Sequence, residues 1–453
     1  MENPTNPVGD IMKRLSSYMA TVSSTALAED VVEKTKHHIL DTMAAMISGS
    51  RLKPGRLAID YVREEGGTPQ ALIPGTDVKT SAVNAALAGG ICAHADETDD
   101  SHPRSFCHPG CAVVPAALAM AMRKNSSGTE MLRAVTFGYD MAARIGLALD
   151  PLRFYGEHHR STHSFGALFG AAGAAGVLAK LNADQCRWLF SYTTQQASGI
   201  ATWPRDEEHI EKAFDFGGMG ARNGVAGATM VAAGFTGVED VFSGPRNFFE
   251  ALGGNAEEMS LDLGTRFEIM DTHIKKWSIG SPVQAPLAAL EHLMGKHHFG
   301  PDDIATIEAH VPAMEADITD NRAMPDICLQ YLFAVMVIDG RVGFENSHDY
   351  ARMDAPDVMA LRGRIQIIPA QDLPRREGRT VVLTKDGQRM EHHVPHVRGT
   401  TINPMDRSEV MDKALDLINP ILGDTKAGAL ANKIMTLETC PDISDLGPLM
   451  TET

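Results

Sequence analysis

The sequence predicts a mainly α protein with a large all-helical domain and a smaller α/β or α+β domain. Its 453 residues are too many for one simple hydrophobic core, so two domains are expected. Up to about residue 265 the apolar residues recur at helical spacing, and beyond it segments of alternating hydrophobicity appear. We therefore predict a helical domain of residues 1–265 and 406–453 and a smaller domain of residues 266–405.

The helices of the first domain are predicted from apolar spacing and small side chains. Residues 27–50 carry apolar residues three and four positions apart. Residues 166–181 and 224–237 are rich in Gly and Ala, which lets helices approach closely. From residue 406 the chain returns to a helical pattern and is expected to rejoin this domain, whereas the tail after residue 440 is expected to be poorly ordered.

The smaller domain is predicted from strand patterns mixed with helices. Residues 303–312 and 363–370 favour strands, and residues 379–394 favour a β-hairpin with a Lys-Asp-Gly turn. Residues 281–296 and 330–340 favour helices between them. This mixture is typical of an α/β or α+β domain.

Composition excludes several classes of partner. The formal net charge of −17, with no basic stripe to offset it, argues against nucleic acid and anionic membranes. No apolar stretch reaches the roughly twenty residues of a membrane span, and the first residues contain no apolar h-region, so we expect no secretory signal. The scattered cysteines form no CxxC pair, which fits reduced thiols in the cytoplasm. A small anionic substrate stays compatible, because a cleft can be locally positive.

The segment HADETDDSHPRSFCHPG, residues 94–110, concentrates ionisable groups between two apolar stretches. Its prolines, Asp and Ser predict a loop. Three explanations are open: a metal site, an acid–base site in which burial tunes the pKa values, and a solvated loop. In a purely structural alternative, Asp99 and Asp100 cap the next helix and His94 is a satisfied core histidine.

Spacing excludes the standard metal motifs. An EF-hand counted from Asp96 would need Gly at its sixth position and Glu at its twelfth, where Ser101 and Cys107 stand. There is no HExxH motif, and Cys107 and Cys111 have no second pair to complete a zinc set. We predict no metal, although a carboxylate–His site assembled from distant segments stays open.

Four further segments could carry chemistry. GEHHRSTHSFG, residues 156–166, precedes a Gly/Ala helix whose N-terminus favours anions, so its His and Arg side chains fit carboxylate binding; a solvated turn is the alternative. Lys212 precedes another small-residue helix and would bind a carboxylate or, alternatively, pair with Glu208. Lys275 stands beside another lysine and a tryptophan, and Tyr331 lies in an apolar helix.

Taken together and in order, these segments resemble the MmgE/PrpD family. The matching pieces are HADETDDSHPRSFCHPG, the His-rich turn before FGAAGAA, KAFDFGGMGARNGVAGA, AAGFTG, IKKWSIGSP and LQYLFAVMVIDGRV. The resemblance implies a large all-helical domain, a smaller α/β lid domain, a homodimer, and an active site in the cleft between domains that uses no metal or organic cofactor.

The resemblance also assigns roles to residues. His108 would be the general acid or base, His159 or His163 a second proton carrier or substrate clamp, and Asp99 or Asp100 would orient a histidine. It also assigns Lys212 and Tyr331, as catalytic groups, and Glu97, Ser101 and Lys275, as substrate-binding groups. Arg160 is expected to bind substrate because it precedes the N-terminus of the Gly/Ala helix.

The segments also depart from the family pattern. Glu97 and Ser101 stand where relatives usually have Asp and Thr, the loop to His108 is one residue longer, an extra Gly occurs near Gly217–Gly218, and Gln284 replaces a common His. These departures bear on the substrate more than on the fold.

We therefore expect a cofactor-independent, dehydratase-like lyase that acts on a small di- or tricarboxylate. The alternatives are an epimerase or isomerase of a dicarboxylate such as iminodisuccinate, or a decarboxylase. A metal-dependent hydrolase and a catalytically silent carboxylate-binding protein rank below these.

Overall fold

The computed structural model describes residues 8–452. The chain forms two compact units: the first contains residues 8–95, 99–273 and 407–452, and the second contains residues 96–98 and 274–406. Helices dominate, which confirms the mainly α prediction. The division into two domains with the boundaries given above stays a prediction. Within residues 8–452, no helix combines the length and the apolar character that crossing a membrane requires.

The first unit opens with a long series of helices and one short two-stranded ribbon. The helices are α1 (Asp10–Val22), α2 (Glu29–Gly49), α3 (Lys53–Glu65), α4 (Ala82–Ala93), α5 (Gly110–Lys124), α6 (Gly128–Ala148), α7 (Pro151–Gly156), α8 (Thr162–Leu178), α9 (Ala183–Gln196), α10 (Ile210–Ala213), α11 (Met219–Ala232) and α12 (Phe248–Leu252). The ribbon pairs β1 (Ala71–Leu72) with β2 (Lys79–Thr80) in antiparallel register.

Small residues bring α6, α8 and α11 into close contact. A Cβ on Gly170 would lie 2.9 Å from the carbonyl oxygen of Gly138, and a Cβ on Gly224 would lie 2.6 Å from the carbonyl carbon of Ala171. Larger side chains would push these backbones apart, because protein interiors leave little free volume. The predicted Gly/Ala helices are thus confirmed, with α11 ending five residues earlier than expected.

The second unit combines helices with a four-stranded sheet. Its elements are α13 (Ser281–Lys296), β3 (Ile304–Pro312), α14 (Ala316–Thr319), α15 (Leu329–Asp339), α16 (Phe344–Ser347), α17 (Tyr350–Met353), α18 (Pro356–Arg362), β4 (Ile365–Ala370), β5 (Gly378–Thr384) and β6 (Arg389–Val394).

The sheet has the order β4-β3-β5-β6. β3 pairs parallel with β4 and antiparallel with β5, and β5 and β6 form the predicted hairpin. α13 packs on the hairpin, where the Thr380 hydroxyl donates to the Pro286 carbonyl at 2.8 Å. The strands and the two longer helices of this unit match the predicted segments within two residues.

The chain ends with helices of the first unit: α19 (Arg407–Leu422), α20 (Asp424–Met435) and α21 (Gly447–Met450). The return to a helix at residue 406 is therefore confirmed. The expectation of a poorly ordered tail after residue 440 is wrong, because Ile443, Leu446 and Met450 are fully buried. Burial of these three apolar side chains offsets the entropy lost by ordering a terminus.

A buried ion pair ties α19 to α2. Lys413 Nζ lies 2.6 Å from Asp41 Oδ1, and both side chains are almost fully buried. Burial raises the pKa of Asp41 to about 6 even with Lys413 beside it. Each buried charge therefore needs the opposite charge of its partner to offset the cost of its burial.

We expect Lys413→Met to destabilise the protein by about 3–5 kcal/mol at pH 8, because it leaves the Asp41 carboxylate buried without this partner. The loss should be smaller at pH 5, where Asp41, with its raised pKa, binds a proton in the folded state. Urea unfolding at both pH values measures the effect. The double variant Lys413→Met/Asp41→Leu should recover much of the stability; an equal loss in both variants would contradict the explanation.

Candidate active site

Residues 94–110 connect the buried helices α4 and α5. His94 directly follows α4, and the N–H of Gly110, which opens α5, donates to Asp100 Oδ1 at 3.0 Å. His94, Asp99 and Asp100 are fully buried. A solvated loop is therefore the wrong explanation for this segment, and Asp100 does cap the next helix.

Asp99 is shared by two imidazoles of the first unit. Its Oδ2 is hydrogen-bonded to His94 Nδ1 at 2.9 Å, and its Oδ1 lies 3.3 Å from His108 Nδ1. An ionised carboxylate only accepts hydrogen bonds, so it favours the tautomer in which each Nδ1 carries the proton. Nε2 is then the basic atom of both rings.

The pKa directions agree with this arrangement. Burial alone would raise the pKa of Asp99, but the two imidazoles hold it well below its usual range. Burial lowers the pKa of His94, which is fully enclosed. The His108 side chain keeps 12% of its surface exposed. Of the two imidazoles, His108 is therefore the one whose ring can be reached from outside.

Phe216 forms the centre of a ring cluster in the first unit. Its ring stacks on His163, with centroids 4.1 Å apart and planes 11° apart, and on His94 at 4.7 Å and 26°. His108 and Trp203 lie at 5.6 Å from the same ring. Phe216 thereby holds three histidines next to one another, including both partners of Asp99.

A π-helical turn, Phe214–Gly218, carries Phe216 between α10 and α11. Such turns insert one residue into a helix and frequently occur at functional sites. The extra Gly noted in this segment lies within the turn. A Cβ on Gly217 would lie 2.1 Å from the carbonyl oxygen of Gly90 in α4, so only a glycine permits this contact.

Gly217→Ala should therefore destabilise the first unit, because its methyl group would meet backbone atoms that cannot move aside. Gly295→Ala in α13 is the matched control: an added Cβ there meets nothing within 4 Å, and Ala should stabilise the helix by about 0.5–1 kcal/mol. Thermal unfolding compares the two variants. Equal melting temperatures would show that the contact between the glycines does not matter.

Lys212 lies on α10 beside the same rings. It is 8% exposed, and its Nζ lies 5.4 Å from the centroid of Phe216 and 5.3 Å from that of Trp203. Glu208, its predicted alternative partner, lies at the surface and pairs with Lys53. His209 is buried, with its ring centroid 5.1 Å from His94. A cation therefore lies near the histidines, at a distance suited to cation–π attraction.

The His-rich segment divides into two parts. His163 enters the ring cluster from the first turn of α8, with its centroid 5.3 Å from His108. His159 is exposed and has a φ of 54°, and Arg160 lies over Phe154, 5.9 Å from its centroid. Of the two alternative histidines, the geometry favours His163, and it does not bring Arg160 to the cluster.

Asp100 anchors the same loop rather than orienting a cluster histidine. Its Oδ2 accepts hydrogen bonds from the Tyr139 hydroxyl and lies 2.6 Å from Nδ1 of His38, which is also fully buried. Together with the N–H of Gly110, Asp100 therefore has three hydrogen-bonding partners. The residues after it are fixed as well, since the backbone of Ser101 pairs with His273 in both directions at 2.9 and 3.0 Å. Asp99 and Asp100 thus have different partners.

The second unit holds the remaining predicted site residues. Lys275 is buried; its Nζ donates to the backbone oxygen of Glu97 at 2.6 Å and lies 4.0 Å from its carboxylate. Gln284 donates to the carbonyl groups of Trp277 and Ile279, which fixes the segment after Lys275.

Tyr331 lies in the apolar core of the second unit. Its hydroxyl donates to the backbone oxygens of Asn346 and Asp349, the latter at 3.3 Å, and burial raises its pKa. A hydroxyl held in this way is a structural donor, so the geometry does not favour the catalytic role predicted for Tyr331.

One group of side chains, His94, Asp99 and Cys111, has atoms close enough to hold a metal ion within residues 8–452. The chemistry of the donors does not fit one. The Cys111 thiol donates to the carbonyls of His108 and Phe216 at 3.1 and 3.3 Å, and burial raises its pKa well above its usual value. A thiolate ligand is therefore unfavourable, and His94 and Asp99 are already bonded to each other.

Sequence reasoning missed the importance of His94, His209, Phe216 and Cys111. His94 had a signal, since it shares its segment with Asp99 and His108. The pair Gly217–Gly218 was a second signal, because an inserted residue in a helix indicates a π-turn. The contacts of His209 and Cys111 depend on tertiary packing alone.

Comparisons with known proteins agree with the resemblance. The MmgE/PrpD N-terminal domain matches residues 13–259, and the MmgE/PrpD C-terminal domain matches residues 277–438. A cis-aconitate decarboxylase-like protein of Aspergillus oryzae is 24% identical over 97% of both chains. A cis-aconitate decarboxylase of Aspergillus terreus is 22% identical over 98% of this chain and 96% of its own, and one of Homo sapiens is 22% identical over 94% and 91%.

Proposed function

Because the chain belongs to the MmgE/PrpD family, we propose that it is a lyase that acts by side-chain acid–base chemistry on a small di- or tricarboxylate. Dehydration is the reaction we assign first. Decarboxylation is the next candidate, since the relatives compared above carry that activity in their names.

The observation that carries the proposal is the sharing of Asp99 between His94 and His108, with Lys212 nearby. A lyase of this class forms or protonates a carbanion next to a carboxylate. It needs a base whose tautomer is fixed and a cation that offsets the developing negative charge. Asp99 supplies the first condition and Lys212 the second.

We assign the general acid–base role to His108, because its side chain is the less buried of the two that Asp99 orients. His94 then positions Asp99 from the enclosed side. His163, stacked on the same phenylalanine as His94, is assigned as the second proton carrier.

Lys212 and Lys275 are assigned to the carboxylate groups of the substrate, with Glu97 and Ser101 as further binding residues. An ammonium group near a carboxylate lowers the energy of the enolate-like intermediate. The geometry does not favour His159, Arg160 or Tyr331. His159 is exposed, Arg160 lies over Phe154, and the Tyr331 hydroxyl already has partners.

The test is a panel of di- and tricarboxylates, including amino-linked ones, followed by NMR in deuterated buffer. A new alkene signal supports dehydration, loss of a carboxylate supports decarboxylation, and deuterium uptake into recovered substrate without elimination supports epimerisation. His108→Ala, run beside the wild type, excludes a contaminating enzyme. If no compound reacts or exchanges, the proposal fails.

Epimerisation is a further candidate function beside decarboxylation, and one observation favours it. It needs two proton carriers that act on one carbon, and His108 and His163 have their centroids 5.3 Å apart. A metal-dependent hydrolase is excluded if activity is unchanged after exhaustive chelation.

A further inference from the structure

The tripeptide Asp96–Thr98 packs as part of the second unit, although its flanking residues Ala95 and Asp99 belong to the first. Its middle residue is Glu97. The N–H of Glu97 donates to Asp326 Oδ2 at 3.3 Å, and its backbone oxygen accepts from Lys275. Hydrogen bonds to both its N–H and its C=O thus hold Glu97, which lies two positions before Asp99.

His348 supplies the charge on which this arrangement depends. Its Nε2 lies 2.8 Å from Asp96 Oδ2 and 3.9 Å from Asp326 Oδ2. Its Nδ1 lies 2.9 Å from the backbone oxygen of Phe344 and 3.0 Å from the Ser347 hydroxyl, which donates its own proton to the same Phe344 oxygen at 3.1 Å. Since a carbonyl and two carboxylates only accept hydrogen bonds, both ring nitrogens face acceptors, and the ring fits best as an imidazolium.

Asp96 connects the His348 ring to the other two residues of the tripeptide. Its two oxygens accept the N–H of Thr98 at 2.9 Å and the Thr98 hydroxyl at 2.7 Å, which closes a tight turn around Glu97. Asp96 and Asp326 are nearly fully buried, so both carboxylates are largely removed from water. Without a cation between them, they would repel each other and one would bind a proton.

We propose that His348 is a positioning residue, which as an imidazolium clamps Asp96–Thr98 and thereby fixes Glu97 for substrate binding. This inference rests on the proposed function, in which Glu97 contacts the substrate. The charged groups that face His348 are Asp96 and Asp326; Glu97 and Tyr350 lie near Asp326.

The clamp should open at alkaline pH. The neighbouring carboxylates outweigh burial and raise the pKa of His348 to about 9, from an ordinary value of 6.5. Because the folded-state pKa is the higher one, the stabilisation is complete below pH 6.5 and is lost as the pH rises toward 9. We expect the tripeptide to loosen over that interval.

The first test needs no substrate. NMR of the histidine ring protons should give His348 a titration midpoint near 9, and Asp96→Asn should lower it by at least one unit. Hydrogen exchange of the peptide spanning residues 94–100, corrected for intrinsic rate, should speed up above pH 8 in the wild type. A midpoint below 7 would overturn the proposal.

The second test measures catalysis. His348→Gln should raise KM about tenfold or more with a smaller change in kcat, and His348→Lys, which keeps a cation, should restore part of the loss. His310→Gln, a change to a half-buried histidine on β3, is the control and should leave KM unchanged. Equal KM values for His348→Gln and the control would contradict the clamp.

The two tests separate this inference from the proposed function. A wild type that turns over no carboxylate but shows the high midpoint refutes the function and leaves the clamp standing. An active wild type whose His348 titrates below 7 refutes the clamp alone. If His348→Gln does not fold, Asp96→Asn replaces it in the second test.

Discussion

His108→Ala is expected to lower kcat by at least about a thousandfold while the melting temperature stays within about 3 °C of the wild type. The large kinetic effect follows from the loss of the base that Asp99 orients. The small thermal effect follows from the position of His108, which is partly exposed and leaves Asp99 its shorter bond to His94.

His158→Ala is the matched control, since His158 is an exposed histidine in the second candidate segment. It should leave both kcat and the melting temperature unchanged. Turnover by His108→Ala within tenfold of the wild type would show that the assignment of the acid–base group is wrong.

Asp99→Asn is expected to lower kcat by about two to four orders of magnitude with only a moderate loss of stability. The amide oxygen can still accept a hydrogen bond from one imidazole, but the NH2 group presents a donor to the other. One of His94 and His108 must then take the opposite tautomer or lose its partner. Steady-state kinetics and thermal unfolding of the same preparation measure the two effects.

Asp100→Asn distinguishes a carboxylate that stabilises the fold from one, Asp99, that orients a catalytic histidine. Because Asp100 accepts from Gly110 and Tyr139 and binds His38, its loss should lower the melting temperature more than Asp99→Asn does. The double variant Asp99→Asn/His108→Ala should be no slower than His108→Ala, since the two residues act as one unit. Additive losses would mean that Asp99 works through another group.

Sequence patterns predicted the elements well because apolar and small residues mark the buried segments, some of which, such as α8 and α15, are buried on nearly all sides. The segments 281–296 and 379–394 were located correctly, since apolar spacing and a Lys-Asp-Gly turn are local signals. The ordered tail after residue 440 was missed because its stability comes from contacts with the rest of the first unit, which no local pattern encodes.

Most residues of the candidate site were predictable from the sequence, but their contacts with one another were not. Composition marked residues 94–110 as chemically unusual, but it did not distinguish Asp99 from Asp100, because both are acidic and only packing gives them different partners. His159 and His163 were equivalent in the sequence, and the register of α8 separates them. Phe216 drew no attention, since aromatic residues are ordinary at buried positions of a helix.

The contact between Gly90 and Gly217 has a consequence for anyone who wishes to change what this protein accepts. An added Cβ at either position would meet backbone atoms of the other within 2.7 Å, so neither glycine tolerates a side chain. Phe216, one position away, stacks on His94 and His163, so a shorter side chain there would release the histidines that its ring holds. A library built to change specificity should therefore keep residue 216 and both glycines invariant and vary other residues of the proposed site.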